Sequence, residues 1–233
     1  MKVTVRYRKL GKVRFTSHRD AARLWERSLR KAGVPLAYSA GFTPRPKISF
    51  GLALPTGAES LGEYLDLELA PGYAPDLDEL AVALDAALPP GFGVVAVREH
   101  EPEIRSLQEA VTACRWEITL TDVVFDDVDA AVGAALAAES LPFSRERKGA
   151  RHVDDVRPSI ESLDAVADGD HVRVDAVVTT EGRGLRPTEL AEAVLGRPAL
   201  DVVARVLRTH QWIGSFDARR EVIAVAVEAS APR

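Results

Sequence analysis

Residues Ser17 to Gly33 read SHRDAARLWERSLRKAG, and this stretch decides the fold. Ser17 stands three residues before Asp20, a shortened capping box that starts a helix. Ala21, Leu24, Trp25, Ser28, Leu29 and Ala32 recur at helical spacing and make one buried stripe. Gly33 supplies the stop. Extended patterns stand on both sides. Before the helix, VTVRYR alternates, with Val3, Val5 and Tyr7 on one side and Thr4, Arg6 and Arg8 on the other, as in a half-buried strand. KLGK breaks the run at Gly11 and VRFTS resumes it, as a hairpin or as one long strand with a bulge.

After the helix, LAYSAGF and KISFGLAL read as extended and EYLDLELA as a further strand. PDLDELAVALDAAL is a second helix, with Asp76 or Asp78 near its start and Pro89-Pro90 at its end. FGVVAVREHE is a final strand. The order β-α-β-β-α-β is that of the split βαβ of ferredoxin-like domains. Pro102 to Ala113 is a connecting segment with a short helix, and from Cys114 the pattern starts again. CRWEITLT, LPFSRERKG, HVRVDAVVTT and DVVARVLRTHQWIG read as strands, DDVDAAVGAALAAES and RPTELAEAVLG as helices, and EVIAVAVEAS as an extra strand. Pro142 to Gly169 carries the weakest pattern. The expected fold class is therefore α+β: two tandem ferredoxin-like (βαββαβ) units with antiparallel sheets, over residues 1–101 and 114–233.

With 46% hydrophobic and 28% charged residues in a chain of 233, the composition is that of a globular protein. No run reaches the roughly 18 to 20 apolar residues that span a bilayer, so no membrane is expected. The N-terminus lacks the apolar core of an export signal, and the single cysteine, Cys114, fits a reducing cytoplasm. The net charge of −5 conceals an asymmetry. Residues 1–50 hold 13 Lys and Arg against Asp20 and Glu26, whereas the remainder holds 17 basic and 33 acidic residues. Such a split points to an acidic partner on one face, nucleic acid being the commonest. The alternative is a basic face that neutralises the acidic remainder.

On the first helix, Arg19, Arg23, Arg27 and Arg30 form a cationic ridge away from the apolar stripe. In SAGFTPRPKISFG, Ser39 to Gly51, Pro44 and Pro46 fix their own φ and push Thr43 and Arg45 into extended geometry. Were residues 45–50 a strand, Arg45, Lys47 and Ser49 would share a face, presenting two cations at fixed spacing to phosphates. Tyr38 and Phe42 are candidates for base stacking, or alternatively core or hinge aromatics. His18 falls in the first turn of the helix, where anions are favoured. It is a candidate phosphate donor, a general base on a 2′-hydroxyl, or a histidine bonded near the cap. A second cluster holds Arg145, Arg147, Lys148, Arg151 and Arg157, with Asp154 and Asp155 expected to pair with arginines rather than bind metal. No phosphate-binding glycine loop, HExxH or GxSxG is present, and the five histidines lack metal-ligand spacing.

Three elements carry a resemblance: K-x-G-x-x-R-F-x-S-H-x-D over Lys9 to Asp20, G-F-x-P-x-P-K-I-S-F over Gly41 to Phe50, and E-Y-x-D over Glu63 to Asp66. With weaker matches at Val153–Ile160 and Val206–His210, the chain resembles the radical-SAM-associated (radical-SAM-linked) bacterial protein family of unknown function. The resemblance implies a separate radical-SAM enzyme as partner, carrying the S-adenosylmethionine and the 4Fe-4S cluster, since CxxxCxxC is absent here. It also implies an RNA context. No cofactor is expected on this chain and no catalytic residue carries over. The expected function is an RNA-binding or substrate-presenting accessory in tRNA or rRNA modification. Its nucleic-acid-binding residues would be His18, Arg19, Arg23, Arg27, Arg45, Lys47, Arg147 and Lys148. The alternatives are a metal-independent endoribonuclease using His18, and a protein-interaction module that docks the radical-SAM enzyme without RNA.

Overall fold

A computed structural model describes residues 1–147, 149–182 and 184–225. The fold is mixed α+β, with mainly antiparallel strand pairing and six α-helices among the described residues. Two compact units divide the chain. One comprises residues 1–56, 60–111 and the described residues from Trp212 on, and the other 57–59 and 112–211. The segment after Trp212, expected with the second unit, thus groups with the first.

The first unit runs β1 (Lys2–Lys9), α1 (His18–Lys31), β2 (Ile48–Phe50), β3 (Glu59–Glu68), α2 (Leu77–Ala87), β4 (Phe92–Glu99) and α3 (Leu107–Ala110). Its strands lie in the order β4-β1-β3-β2, each antiparallel to its neighbour. Val5 faces Leu65 on one side and Val97 on the other, so the alternation read in β1 assembles one apolar face. Trp25 and Leu29 of α1 and Leu80 and Leu84 of α2 close over that face. The second face of β1 departs from expectation. Thr4 and Arg6 are also buried, because residues Glu221 to Ile223 cover them. The Arg6 guanidinium pairs with Glu221 and donates to the Ile223 carbonyl at 2.8 Å.

Other expectations for this unit are corrected. VRFTS does not resume β1. Gly11, at φ +72°, turns the chain into a 3₁₀ turn over Gly11–Phe15, and the buried Lys9 ammonium pins it by donating to the Thr16 carbonyl at 2.8 Å. LAYSAGF and KISFGLAL yield only β2 and two isolated bridges, Leu36 with Leu69 and Tyr38 with Pro46. Pro44 and Pro46 lack the N–H that a longer ladder needs.

The second unit holds β5 (Val111–Leu120), α4 (Phe125–Ala137), β6 (Pro142–Arg147), β7 (Ala150–Asp155), β8 (Ile160–Asp168), β9 (His171–Thr179), α5 (Pro187–Leu195), α6 (Ala199–Val202) and β10 (Val203–Ile213). Its main strands lie in the order β10-β5-β9-β8, while β6 and β7 form a separate hairpin. LPFSRERKG, expected in the main sheet, is therefore half of that hairpin. The sheet strand β8 instead comes from ESLDAVAD, whose charges and a register shift between Ile160 and Ser162 blur its alternation. Asp155 closes the hairpin base, accepting from the backbone N–H groups of Leu141 at 2.8 Å and Arg157 at 3.0 Å. Of the described part of EVIAVAVEAS, Glu221 alone joins a strand, β11 (Arg220–Glu221), which pairs with the end of β10. Residues from 226 on lie outside the described residues. No helix among the described residues is long and apolar enough to cross a membrane.

Burial pushes the Tyr64 hydroxyl above its ordinary pKa of 10.0, against the lowering effect of the Arg6 guanidinium nearby. The phenol stays neutral in the folded state where the unfolded chain ionises. Its contribution to stability is therefore complete below about pH 10 and lost as pH rises further. Urea unfolding at about pH 8 and about pH 10.5 should show a larger loss for the wild type than for Tyr64→Phe, which cannot ionise.

Candidate nucleic-acid interface

Ser17 caps α1, its Oγ accepting from the Asp20 N–H at 3.2 Å and donating to the Asp20 carboxylate at 2.7 Å. Ala21, Trp25, Ser28 and Leu29 are buried, which fixes the rotation of the helix about its axis. At about 100° per residue, Arg19, Arg23, Arg27 and Arg30 fall within an arc of about 80° on the opposite side. All four are exposed. Only Arg23 meets a carboxylate, Asp20 at 3.4 Å, and that pair is 59% exposed on both sides and worth little. Arg19, Arg27 and Arg30 have no ion pair among the described residues. His18 is exposed at the first helical position, its ring edge-on to Phe50 of β2 at 5.4 Å. No carboxylate orients it among the described residues.

The segment Ala37 to Lys47 is a closed loop rather than the strand expected for Arg45 onward, because β2 begins only at Ile48. The Lys47 N–H donates to the Ala37 carbonyl and the Ser39 N–H to the Arg45 carbonyl, each at 2.9 Å. The Arg45 N–H donates to Ser39 Oγ at 3.1 Å. Gly41, at φ +130°, supplies a bend that a side chain would strain. Tyr38 is 56% exposed and Phe42 fully so, which rules out a core role for either. Arg45 is exposed and has no carboxylate partner among the described residues, whereas Lys47 pairs with Glu68 at 2.8 Å.

Three cations of the second unit are engaged within it. Arg145 is engaged by Asp154 at 3.3 Å and by Glu189 at 3.8 Å. Arg157 donates to the carbonyls of Leu136 and Ile160 at 3.0 Å each. Arg208 is buried with its guanidinium over the Trp116 ring. Arg147 ends β6 opposite Ala150, while its side chain and Lys148 lie outside the described residues.

Sequence reasoning missed a buried polar cluster joining β1, β3 and the end of β4. Thr4 Oγ1 donates to Asp66 Oδ1 at 2.7 Å, and the Lys2 ammonium lies 2.8 Å from Asp66 Oδ2. Lys2 also donates to Nε2 of His100 at 3.0 Å, which requires the ring proton on Nδ1. That nitrogen faces Thr4 Oγ1 at 3.2 Å and Asp66 Oδ1 at 3.3 Å. The E-Y-x-D element was the available signal, and Asp66 is its last residue. Every member of the cluster satisfies another, so it holds strands together rather than presenting a reactive group. A cavity of about 410 Å³ is lined by Thr4, Arg98, Glu101 and Arg220. Both guanidiniums are already taken, Arg98 by Asp78 at 3.2 Å and Arg220 by Glu101 at 3.0 Å. No group of His, Cys, Asp and Glu able to hold a metal ion occurs among the described residues.

These features define an α+β protein with an exposed arginine face on α1 and exposed rings at Tyr38 and Phe42. Residues 2–187 match the model of a family described as an uncharacterized protein conserved in bacteria (DUF2344), and the chain belongs to that family. No curated protein matches it. Among solved structures, a chain of a crystallised Cbf5-Nop10-Gar1 complex is similar with a TM-score of 0.49 at 9% identity. The match covers 90% of this chain and 48% of that one, so this chain spans about half its length. A likeness of that strength carries no argument about function.

Removing Asp66 would leave Lys2, Thr4 and His100 without their common acceptor. Asp66→Ala should lower unfolding stability by about 3 kcal/mol in urea titration.

Proposed function

We propose that this protein binds RNA through the arginine face of α1, on a scaffold of two ferredoxin-like units. It would act as a non-catalytic, substrate-presenting partner of a separate radical-SAM enzyme in tRNA or rRNA modification, in the cytoplasm. The observation that carries the reading is the arc of Arg19, Arg23, Arg27 and Arg30, three of which lack a carboxylate partner among the described residues. Like charges four apart on a helix repel by a few tenths of a kcal/mol each. A surface that retains them unneutralised is suited to a polyanion, with arginine matching phosphate as a two-pronged donor. Arg45 adds a fifth exposed cation, and His18 a ring nitrogen beside a helix N-terminus.

The radical-SAM partner rests on the sequence resemblance over Lys9–Asp20, Gly41–Phe50 and Glu63–Asp66. In that pairing the enzyme supplies S-adenosylmethionine and the 4Fe-4S cluster, and this chain supplies the RNA. Among the described residues no carboxylate orients His18 as a base, so the endoribonuclease alternative has no observation that favours it.

Binding of tRNA and structured rRNA fragments across a salt series tests the proposal. Affinity should fall steeply with salt, and the triple substitution Arg19→Ala, Arg23→Ala, Arg27→Ala should reduce the log–log slope by about two. A flat response, or a triple variant with the parental slope, rejects the interface. Affinity capture with the radical-SAM enzyme from the same cell should recover both proteins with RNA, read from the ratio of absorbance at 260 and 280 nm. Recovery of the pair without nucleic acid would favour protein docking instead.

A further inference from the structure

The loop Ala37 to Lys47 displays two aromatic rings that the protein itself does not use. Phe42 stands fully in solvent and Tyr38 is 56% exposed, and no ring or cation contact covers either among the described residues. Phe15 makes the contrast. It is also exposed, but the guanidinium of Arg14 lies 4.8 Å from its ring centre and occupies one face. One exposed ring alone is ordinary, but two on one short loop form an apolar patch of the kind that marks a contact surface.

Their frame is stiff. Tyr38 bridges to Pro46, the ends of the loop are tied by the bonds from Lys47 to Ala37 and from Ser39 to Arg45, and Arg45 is further held by Ser39 Oγ. Pro44 and Pro46 remove backbone freedom between the rings and the cation. Little conformational entropy is then lost when the loop meets a ligand. The same loop carries Arg45, exposed and free of carboxylates. One short rigid element therefore offers flat apolar faces together with a guanidinium.

We infer that this loop is a clamp for unpaired nucleotides, with Tyr38 and Phe42 stacking on bases and Arg45 holding an adjacent phosphate. The inference rests on the nucleic-acid reading above and narrows its ligand to single-stranded or looped segments. A base has a face to offer only when it is unstacked and unpaired. In an A-form duplex the faces are covered by neighbours and the major groove is too deep and narrow for side chains to enter. A duplex would engage the arginines of α1 and leave the two rings without a partner.

Fluorescence anisotropy with end-labelled oligouridine of about 15 nucleotides, oligodeoxythymidine of equal length and a blunt RNA duplex tests this. Oligouridine should bind at least about tenfold tighter than duplex. Tyr38→Ala with Phe42→Ala should lose about tenfold or more of the single-strand affinity and leave duplex binding unchanged. Phe42→Trp should retain binding and report it by quenching of the new indole. The substituted side chains are exposed, so the thermal midpoint should not move. Equal affinity for oligodeoxythymidine supports a clamp for base and phosphate alone, and a preference for oligouridine supports one that also reads the 2′-hydroxyl. Duplex and single strand bound equally, or a double variant with parental affinity, overturns the clamp while the arginine interface stands. No binding of any of the three polynucleotides overturns the RNA reading and the clamp with it.

Discussion

Trp25 packs edge-on against Tyr7, ring centres 4.9 Å apart, with its side chain wholly buried between α1 and the first sheet. The contact sets the rotation of α1. With Trp25 and Leu29 inward, the arginines at positions 19, 23, 27 and 30 have nowhere to lie but in solvent. A turn of about 100° about the helix axis, one residue's worth, would drag guanidiniums toward the core and expose the indole. Aromatic burial thus decides where the positive charge of the helix faces, although the arginines contribute nothing to the packing.

Two contrasting groups stand out among the basic residues that open the chain. Half-buried Lys2 and buried Arg6 and Lys9 of β1 are satisfied by Asp66, by Glu221 with the Ile223 carbonyl, and by the Thr16 carbonyl. A buried cation without such partners would be strongly destabilising. These lysines and arginine fasten the chain to itself, and in Arg6 they fasten a segment more than two hundred residues away in sequence. The arginines of α1 and Arg45 form the second group, exposed and largely unneutralised. Net charge over residues 1–50 cannot separate the two, since a cation counts alike whether it faces a carboxylate or water.

The three sequence elements behind the family resemblance have local structural roles. Lys9, Gly11, Ser17 and Asp20 build the 3₁₀ turn and the cap of α1. Gly41 and Pro46 shape the aromatic loop, and Phe50 backs the ring of His18. Asp66 gathers Lys2, Thr4 and His100. Of these elements, Arg19, His18, Phe42 and Arg45 are among the exposed residues.

Local pattern alone determined α1 with its cap and stop, the alternating apolar face of β1, the second helix, and the arginine ridge. Each depends on residues within a turn or two of one another, where spacing and side-chain type dictate the outcome. Tertiary structure decided what depends on distant partners. It covered the second face of β1 with Glu221 and Ile223, diverted LPFSRERKG into a hairpin and recruited the charge-rich Ile160–Asp168 as a sheet strand. It left Tyr38 and Phe42 in solvent, gave Lys47 to Glu68, and spent Arg145, Arg157 and Arg208 on the second unit's own framework. The reason is that a side chain's exposure and pairing are set by whatever folds against it, and in these cases that neighbour comes from elsewhere in the chain.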